Sequence, residues 1–378
     1  MRPGQRPMSI ARLDVQPSPP LGESLAPGAV VECRNRPGGS PRVLIVRLSA
    51  VGDCVQTLPL ACAVRDHFPE AEVTWVVERP AAPLVALCPA VDRLVVLPRG
   101  FALRPRAVWW LRGVLRRLRP DITLDPQGLT KSGLVAWLSG ARRRIGLARP
   151  ASREINPWLQ TERVAPEAQH RVRRYLALLR PLGVVQPEVR FDLAIPPAVQ
   201  QAVDGALAVC AGGHRLAVLN PGAGWDAKRW PEERYAQVAQ HLASCGLRSV
   251  VVWAGNRERA WAETIVAQAR GAAALAPSTT LVELAAVLKR AQLFVGSDTG
   301  PLHLAAAVGT PCVALFGASS GQDCGPLGPW HVVLQRAWDR SPGRKCRGAD
   351  NWAMRQITAA DVCAACDRIL QSPCAEAA

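Results

Sequence analysis

VLIVRLSAVGDCVQTLP, residues 43–59, decides the fold. Five of its first six residues are apolar and most of those are β-branched, the pattern of a buried parallel strand. A small-residue turn follows, then a helical segment. Strand–turn–helix units of this kind often cradle phosphate, because helix N-terminal N–H groups and the helix dipole attract anions. Here Asp53 puts a carboxylate where a phosphate would sit, so this turn calls for a different task.

Outward from that unit, short β-type runs alternate with helical patterns along most of the chain. The first half offers VLIVRL (43–48), VTWVV (73–77), LVVL (94–97), DITLD (121–125) and RIGL (144–147). The second half offers LAVLN (216–220), SVVVWAG (249–255), QLFVGS (292–297) and CVALFG (312–317), and a final helix spans about 359–370. A proline-bearing stretch, VVQPEVRFDLAIPP (184–197), separates the halves. At 378 residues the chain is long for one core. The expectation is an α/β protein of two Rossmann-like, doubly wound domains facing across a cleft: residues 42–183, a linker 184–200, and 201–378. Residues 1–41, rich in Pro, Gly and Ser, read as a disordered extension.

The net charge is +16, which suggests an anionic partner, although the strong bias of Arg over Lys also fits genome composition. Few aromatics other than Trp occur, and no RRM, KH or helix-turn-helix signature appears, so no nucleic-acid partner is expected. No apolar run reaches the roughly 18–20 residues that span a bilayer. A cytoplasmic protein is expected, peripheral on the inner face of the membrane. The twelve cysteines are scattered, several within apolar segments, and read as core residues. Cys363 and Cys366, with Cys346 and Cys374 nearby, match no common zinc spacing. No metal site and no cofactor are expected.

In open α/β sheets ligands gather beyond the carboxyl ends of strands, and four such places carry polar residues. GSDTGPLHLAAAVGTPCVALFG (296–317) ends a strand and opens a helix of small residues with Pro301 in its first turn. This suits a diphosphate on the helix N–H groups; alternatively Asp298 or Thr299 caps the helix. NPGAGWDAKRWP (220–231) supplies glycines and the mobile charge of Lys228; otherwise it is a capped turn whose Trp225 and Trp230 pack inward. It is neither a Walker A loop nor a dinucleotide fingerprint. In WAGNRER (253–259), Glu258 is placed to accept from a ribose or to complement a helix dipole. DPQGLTKSG (125–133) presents Gln127 and Lys131, as an acceptor site or a surface loop. The fifteen aspartates include no two at i, i+2, so there is no D-x-D metal motif.

Together RLSAVGDCVQTLP, DPQGLTKSG, PGAGWDAKRWP and SDTGPLHLAAAVGTPCVALFG resemble, in order and spacing over about residues 42–370, the ADP-heptose:lipopolysaccharide heptosyltransferases of glycosyltransferase family 9. The resemblance implies a GT-B fold, with the acceptor on the first domain and the nucleotide sugar on the second. It also implies metal-independent transfer with inversion, from ADP-heptose to a glycolipid acceptor at the membrane. Position by position, it implies Asp53 as catalytic base and Lys228, Glu258, Asp298, Thr299, Gly300 and His303 as donor-binding. Gln127 and Lys131 fall on the acceptor side, and Gly52 clears room for the acceptor. Relatives often carry Cys-Met near the C-terminus, where this chain has AMRQIT (353–358).

A base explains the carboxylate in the first turn. A sugar hydroxyl attacks poorly unless its proton is removed, and an aspartate is ionised at neutral pH. The simpler alternative is a helix cap. Another sugar or acceptor within the family, or a polyanion-binding protein, remain the competing readings. LRPRAVWWLRGVLRRLRP (103–120), with six arginines, fits a membrane-surface helix or a sheet-packing helix with a solvated basic face.

Overall fold

The structure, a computed structural model, describes residues 15–16, 28–34, 41–339 and 350–371. Contacts divide the chain into two compact units. The first comprises Met1–Ser49, Thr57–Ala168 and Arg173–Arg190; the second comprises Ala50–Gln56, Gln169–Val172 and Phe191–Ala378.

The strands of the first unit are β1 (Val15–Gln16), β2 (Ala29–Glu32), β3 (Arg42–Val46), β4 (Glu72–Glu78), β5 (Arg93–Leu97), β6 (Ile122–Asp125), β7 (Arg143–Leu147) and β8 (Glu162–Val164). They lie in the order β1-β2-β5-β4-β3-β6-β7-β8, parallel throughout except β2 against β5. From β5 to β8 this is the doubly wound order, with its switch point between β3 and β6. Leu44, Ile45 and Val46 are fully buried, as a strand covered on both faces requires.

The second unit carries β9 (Arg215–Asn220), β10 (Leu247–Val251), β11 (Ala273–Leu275), β12 (Leu293–Ser297), β13 (Cys312–Leu315) and β14 (Val332–Leu334). Their order is β11-β10-β9-β12-β13-β14, all parallel, which repeats the same winding with its switch point between β9 and β12. Its core packs Leu219, Val251, Val295 and Leu315 against Tyr235, Val238 and Leu242 of the helix Glu232–Ser244. Ile369 and Cys366 of the final helix Ala359–Leu370 join that core.

Residues 1–41 depart from the expected disorder at β2. Val30 and Val31 are buried there, and the strand covers the edge that β5 would otherwise present. Residues 1–14, 17–27 and 35–40 of that segment lie outside the described residues. The expected linker has no helix or strand through 184–196, and Pro197 opens the helix Pro197–Ala211. Among the described residues no helix is long and apolar enough to cross a membrane. No disulfide joins the described cysteines; seven of these ten are buried. Cys346 and Cys374 lie outside the described residues.

Candidate active site

The densest polar cluster lies at the second unit's switch point. Asp298 follows β12 and its side chain is only 10% exposed. Its Oδ2 accepts from Lys228 Nζ at 2.5 Å and from Ser319 Oγ at 2.7 Å, and its Oδ1 accepts from His303 Nε2 at 3.0 Å. Burial alone would raise its pKa. The His303 hydrogen bond and the neighbouring positive charge outweigh that and hold it well below the usual carboxylate range. Lys228 reaches over from the turn Asp226–Lys228 after β9, with its ammonium also 5.2 Å from the Trp225 ring. Trp225 is half-buried, whereas Trp230 is fully buried edge-on to Tyr235, so only one of the two tryptophans belongs to the core.

Gln56 fixes the state of His303. Its amide nitrogen donates to the Cys324 carbonyl at 3.0 Å, which sets which way the amide faces. The same nitrogen lies 3.3 Å from His303 Nδ1, so Nδ1 accepts and the ring proton sits on Nε2, directed at Asp298.

The helix Gly300–Ala307 begins beside this cluster, with Thr299 as its extended N-cap. Thr299 Oγ1 turns back to the Ser297 carbonyl and accepts from Asn220 Nδ2 rather than capping, and no side chain caps this end. The Gly300 and Leu302 N–H groups therefore have no side-chain cap to compete with an anion. The cap alternative fails for Asp298 as well, since its carboxylate is committed to Lys228, His303 and Ser319.

Asp53 sits in the short helix Val51–Val55, which packs on Gly300–Ala307. The contact runs through Gly52. A Cβ there would lie 2.7 Å from His303 Cδ2 and 3.4 Å from Gly300 Cα. Sequence assigned Gly52 to acceptor clearance; the structure also shows this close helix approach. Gly52→Ala should therefore displace the buried His303 ring, costing about 1–3 kcal/mol of stability by overpacking and loosening Asp298. The check is a thermal midpoint, which should fall. Asp53 Oδ2 accepts from its own Ala50 N–H at 3.3 Å, the local bond that the cap reading expected. Its Oδ1 meets Arg171 Nη1 at 3.1 Å.

Glu258, in the first turn of the helix Gly255–Gln268 after β10, accepts from Ala254 N–H at 2.9 Å. Burial pushes its carboxyl up, against the lowering effect of that N–H. Its carboxylate fills the space where a Cβ on Gly222 would stand, 2.7–2.8 Å away, so the glycine turn after β9 admits it.

In the first unit, Gln127 and Lys131 stand at the β3/β6 switch point. Gln127 Oε1 accepts from Leu48 N–H at 2.7 Å, stitching the two strand ends together. Lys131 Nζ meets Ser49 Oγ at 2.9 Å and Glu78 Oε1 at 2.8 Å. Beneath them Asp125 is wholly buried, holding the Gln127 and Gly128 N–H groups and the Asn156 and Gln160 amides. Burial drives its pKa up despite these donors.

The structure thus unites Lys228, Asp298, Thr299, Gly300 and His303 with the Gly52–Asp53 turn, sets Glu258 beside Gly222, and gathers Gln127 and Lys131 in the first unit. Sequence reasoning missed Gln56, Ser319, Arg171 and Glu78. Ser319 and Glu78 stand at or just past strand ends, where the strand-end rule pointed. Arg171 comes from a segment with no periodic signal.

The description glycosyltransferase family 9 (heptosyltransferase) matches residues 108–349, which hold every donor-side residue named above but not Gly52 or Asp53. Lipopolysaccharide heptosyltransferase 1 of Pseudomonas aeruginosa is 32% identical over 305 residues, 78% of this chain and 83% of that protein. Lipopolysaccharide heptosyltransferase 3 of Escherichia coli is 26% identical over 333 residues, 85% of this chain and 97% of that one. Among solved structures, a glycosyl transferase family 9 protein from Veillonella parvula superposes with a TM-score of 0.74 at 22% identity, covering 88% of this chain and 98% of its own. The E. coli heptosyltransferase WaaC with ADP gives 0.65 at 26% identity, covering 87% and 97%. With two Rossmann-like units, a polar switch-point cluster and a family match over most of its length, this chain belongs to glycosyltransferase family 9, the heptosyltransferases.

Proposed function

We propose that the protein transfers heptose from ADP-heptose to a lipopolysaccharide-core acceptor, with inversion at the anomeric carbon and without a metal ion. The observation that carries this reading is the packing of the Asp53 turn on the N-terminus of Gly300–Ala307 through Gly52. It supports the reading by bringing the Asp53 carboxylate and a helix end without a side-chain cap into one constellation.

Charge builds on the departing ADP as the glycosidic bond breaks. The Gly300 and Leu302 N–H groups and Lys228 face that charge, and such donors count most where charge develops. Lys228 is held by Asp298, so an incoming diphosphate shares or takes over its ammonium. Glu258 accepts from the ribose hydroxyls, with Gly222 allowing the approach. On the other side of the sugar, Asp53 takes the proton of the attacking hydroxyl as the new bond forms. Arg171 keeps that carboxylate oriented. Gln127 and Lys131 bind the acceptor.

A thermal-shift panel tests the donor assignment. ADP and ADP-heptose should raise the unfolding midpoint without added divalent metal, while UDP and GDP compounds leave it unmoved. A response to UDP- or GDP-sugars alone would assign a different donor.

A glycolipid acceptor implies work at the cytoplasmic membrane face. In the helix Pro105–Leu118, Ala107, Leu111, Val114 and Leu115 bury inward, while Trp109 is 70% exposed beside Arg106 and Arg112. Leu103, just before it, is 89% exposed. Trp109→Glu should weaken sedimentation with vesicles containing phosphatidylglycerol severalfold, and raised salt should do the same to the wild type, since each basic residue near an anionic surface contributes about 1 kcal/mol. Equal sedimentation of the variant would remove this helix from the membrane contact.

A further inference from the structure

A second cluster lies at the far end of the helix Glu232–Ser244, away from the donor loop that precedes it. Thirteen residues of α-helix span about 20 Å, so it is separate from the Asp298 site. His241, in the last turn, and Cys245, at the C-cap, are four residues apart and emerge on one side. On the final helix Ala359–Leu370, Cys363 and Asp367 are likewise four apart, and the two helices pack together. The pairs meet: His241 Nε2 is 2.7 Å from Asp367 Oδ1, and Cys245 Sγ is 3.9 Å from both atoms. Imidazole, thiol and carboxylate atoms therefore all fall within 4.8 Å of one another. Cys363, one turn before Asp367, is half-buried against the same core.

We propose that His241 Nε2, Cys245 Sγ and an Asp367 oxygen bind a divalent transition metal of the zinc class, with a water in the fourth position. Around a tetrahedral Zn²⁺ with ordinary Zn–N, Zn–O and Zn–S bond lengths, ligand atoms stand about 3.3–3.7 Å apart. The observed sulfur distances are within a few tenths of an ångström of that, and the His–Asp pair needs to open by about half an ångström. The mixed nitrogen, sulfur and oxygen donors favour zinc over magnesium or calcium. Binding replaces the thiol proton of Cys245 with the metal and releases it to solvent. The bound ion would tie the final helix to Glu232–Ser244, a structural clamp that takes no part in transfer.

The test uses the full-length, reduced and metal-stripped protein with Zn²⁺ or Co²⁺ as the only ligand. The wild type should take up one ion per chain, show the thiolate-to-cobalt charge-transfer band and tetrahedral d–d bands, and gain several degrees in unfolding midpoint with Zn²⁺. Cys245→Ser and Asp367→Asn, both at solvent-accessible positions, should fold with the metal-free wild-type midpoint. Each should lose at least about tenfold in Zn²⁺ affinity, together with the Zn²⁺-induced thermal shift. Uptake of less than one ion by the wild type would overturn the proposal. So would wild-type affinity and thermal shift in either variant, which would assign the metal to other cysteines.

Discussion

Asp53→Ala is expected to lose about a thousandfold in kcat, within the range that a positioned general base supplies. The same variant should bind ADP within about twofold of the wild type, because the proposed diphosphate contacts belong to Lys228 and to the Gly300–Ala307 helix. The split between kcat and donor affinity is what distinguishes a base from a structural cap. Asp53 also accepts its own Ala50 N–H, so part of the local helix end depends on it. Asp53→Asn separates the two roles: the asparagine oxygen still accepts from Ala50, but the side chain no longer takes a proton at neutral pH. Single-turnover rates alongside ADP titrations check both variants. Transfer at near wild-type rate in Asp53→Asn would mean that the proton leaves by another route.

Lys228→Ala is the second large effect, and it appears in two measurements. The Lys228–Asp298 pair is shielded, with side-chain exposures of 17% and 10%. Removing the cation leaves a buried carboxylate with only His303 and Ser319 as donors. Because those two hydrogen bonds survive, the stability loss should be about 2–3 kcal/mol, short of the full cost of an orphaned buried charge. Donor affinity should fall as well, and kcat/KM by about a hundredfold, as when an oxyanion donor is removed. The pH dependence carries a definite sign. Asp298 has a folded-state pKa depressed below its unfolded value, so its contribution is complete above about pH 4 and drains away as pH falls from there toward the folded value. Wild-type stability should therefore decline on acidification below that point, and Asp298→Asn, already weaker at neutral pH, should decline less. Equilibrium urea unfolding at pH 7 and pH 3 reads both.

Much of the architecture was legible because both sheets, apart from the β2–β5 pair, are parallel and covered on two sides. Nine apolar runs announced nine strands, and the residues just past them held most of the site. Strands β1, β2, β8, β11 and β14 escaped because two to four residues at or next to a sheet edge have no room for a periodic pattern. Asp298, Lys228 and His303 were visible as chemistry but not as a cluster. The spacing of 70 residues between Lys228 and Asp298 becomes a contact only once β9 and β12 lie side by side. The close approach of Gly52 to His303 was not legible, since His303 is 251 positions away and only the folded contact brings it near. Arg171 was illegible: nothing in an arginine-rich chain distinguishes it from the others until it stands at Asp53.

The central claim is that the second unit's switch point holds the leaving diphosphate, while the turn after β3 supplies the base. A crystal structure with ADP tests it most directly. The expected density places the β-phosphate on the Gly300 and Leu302 N–H groups within hydrogen-bond reach of Lys228 Nζ, and the ribose against Glu258. A diphosphate found instead beside Ser49 and Lys131, at the end of β3, would reverse the two roles and contradict the account.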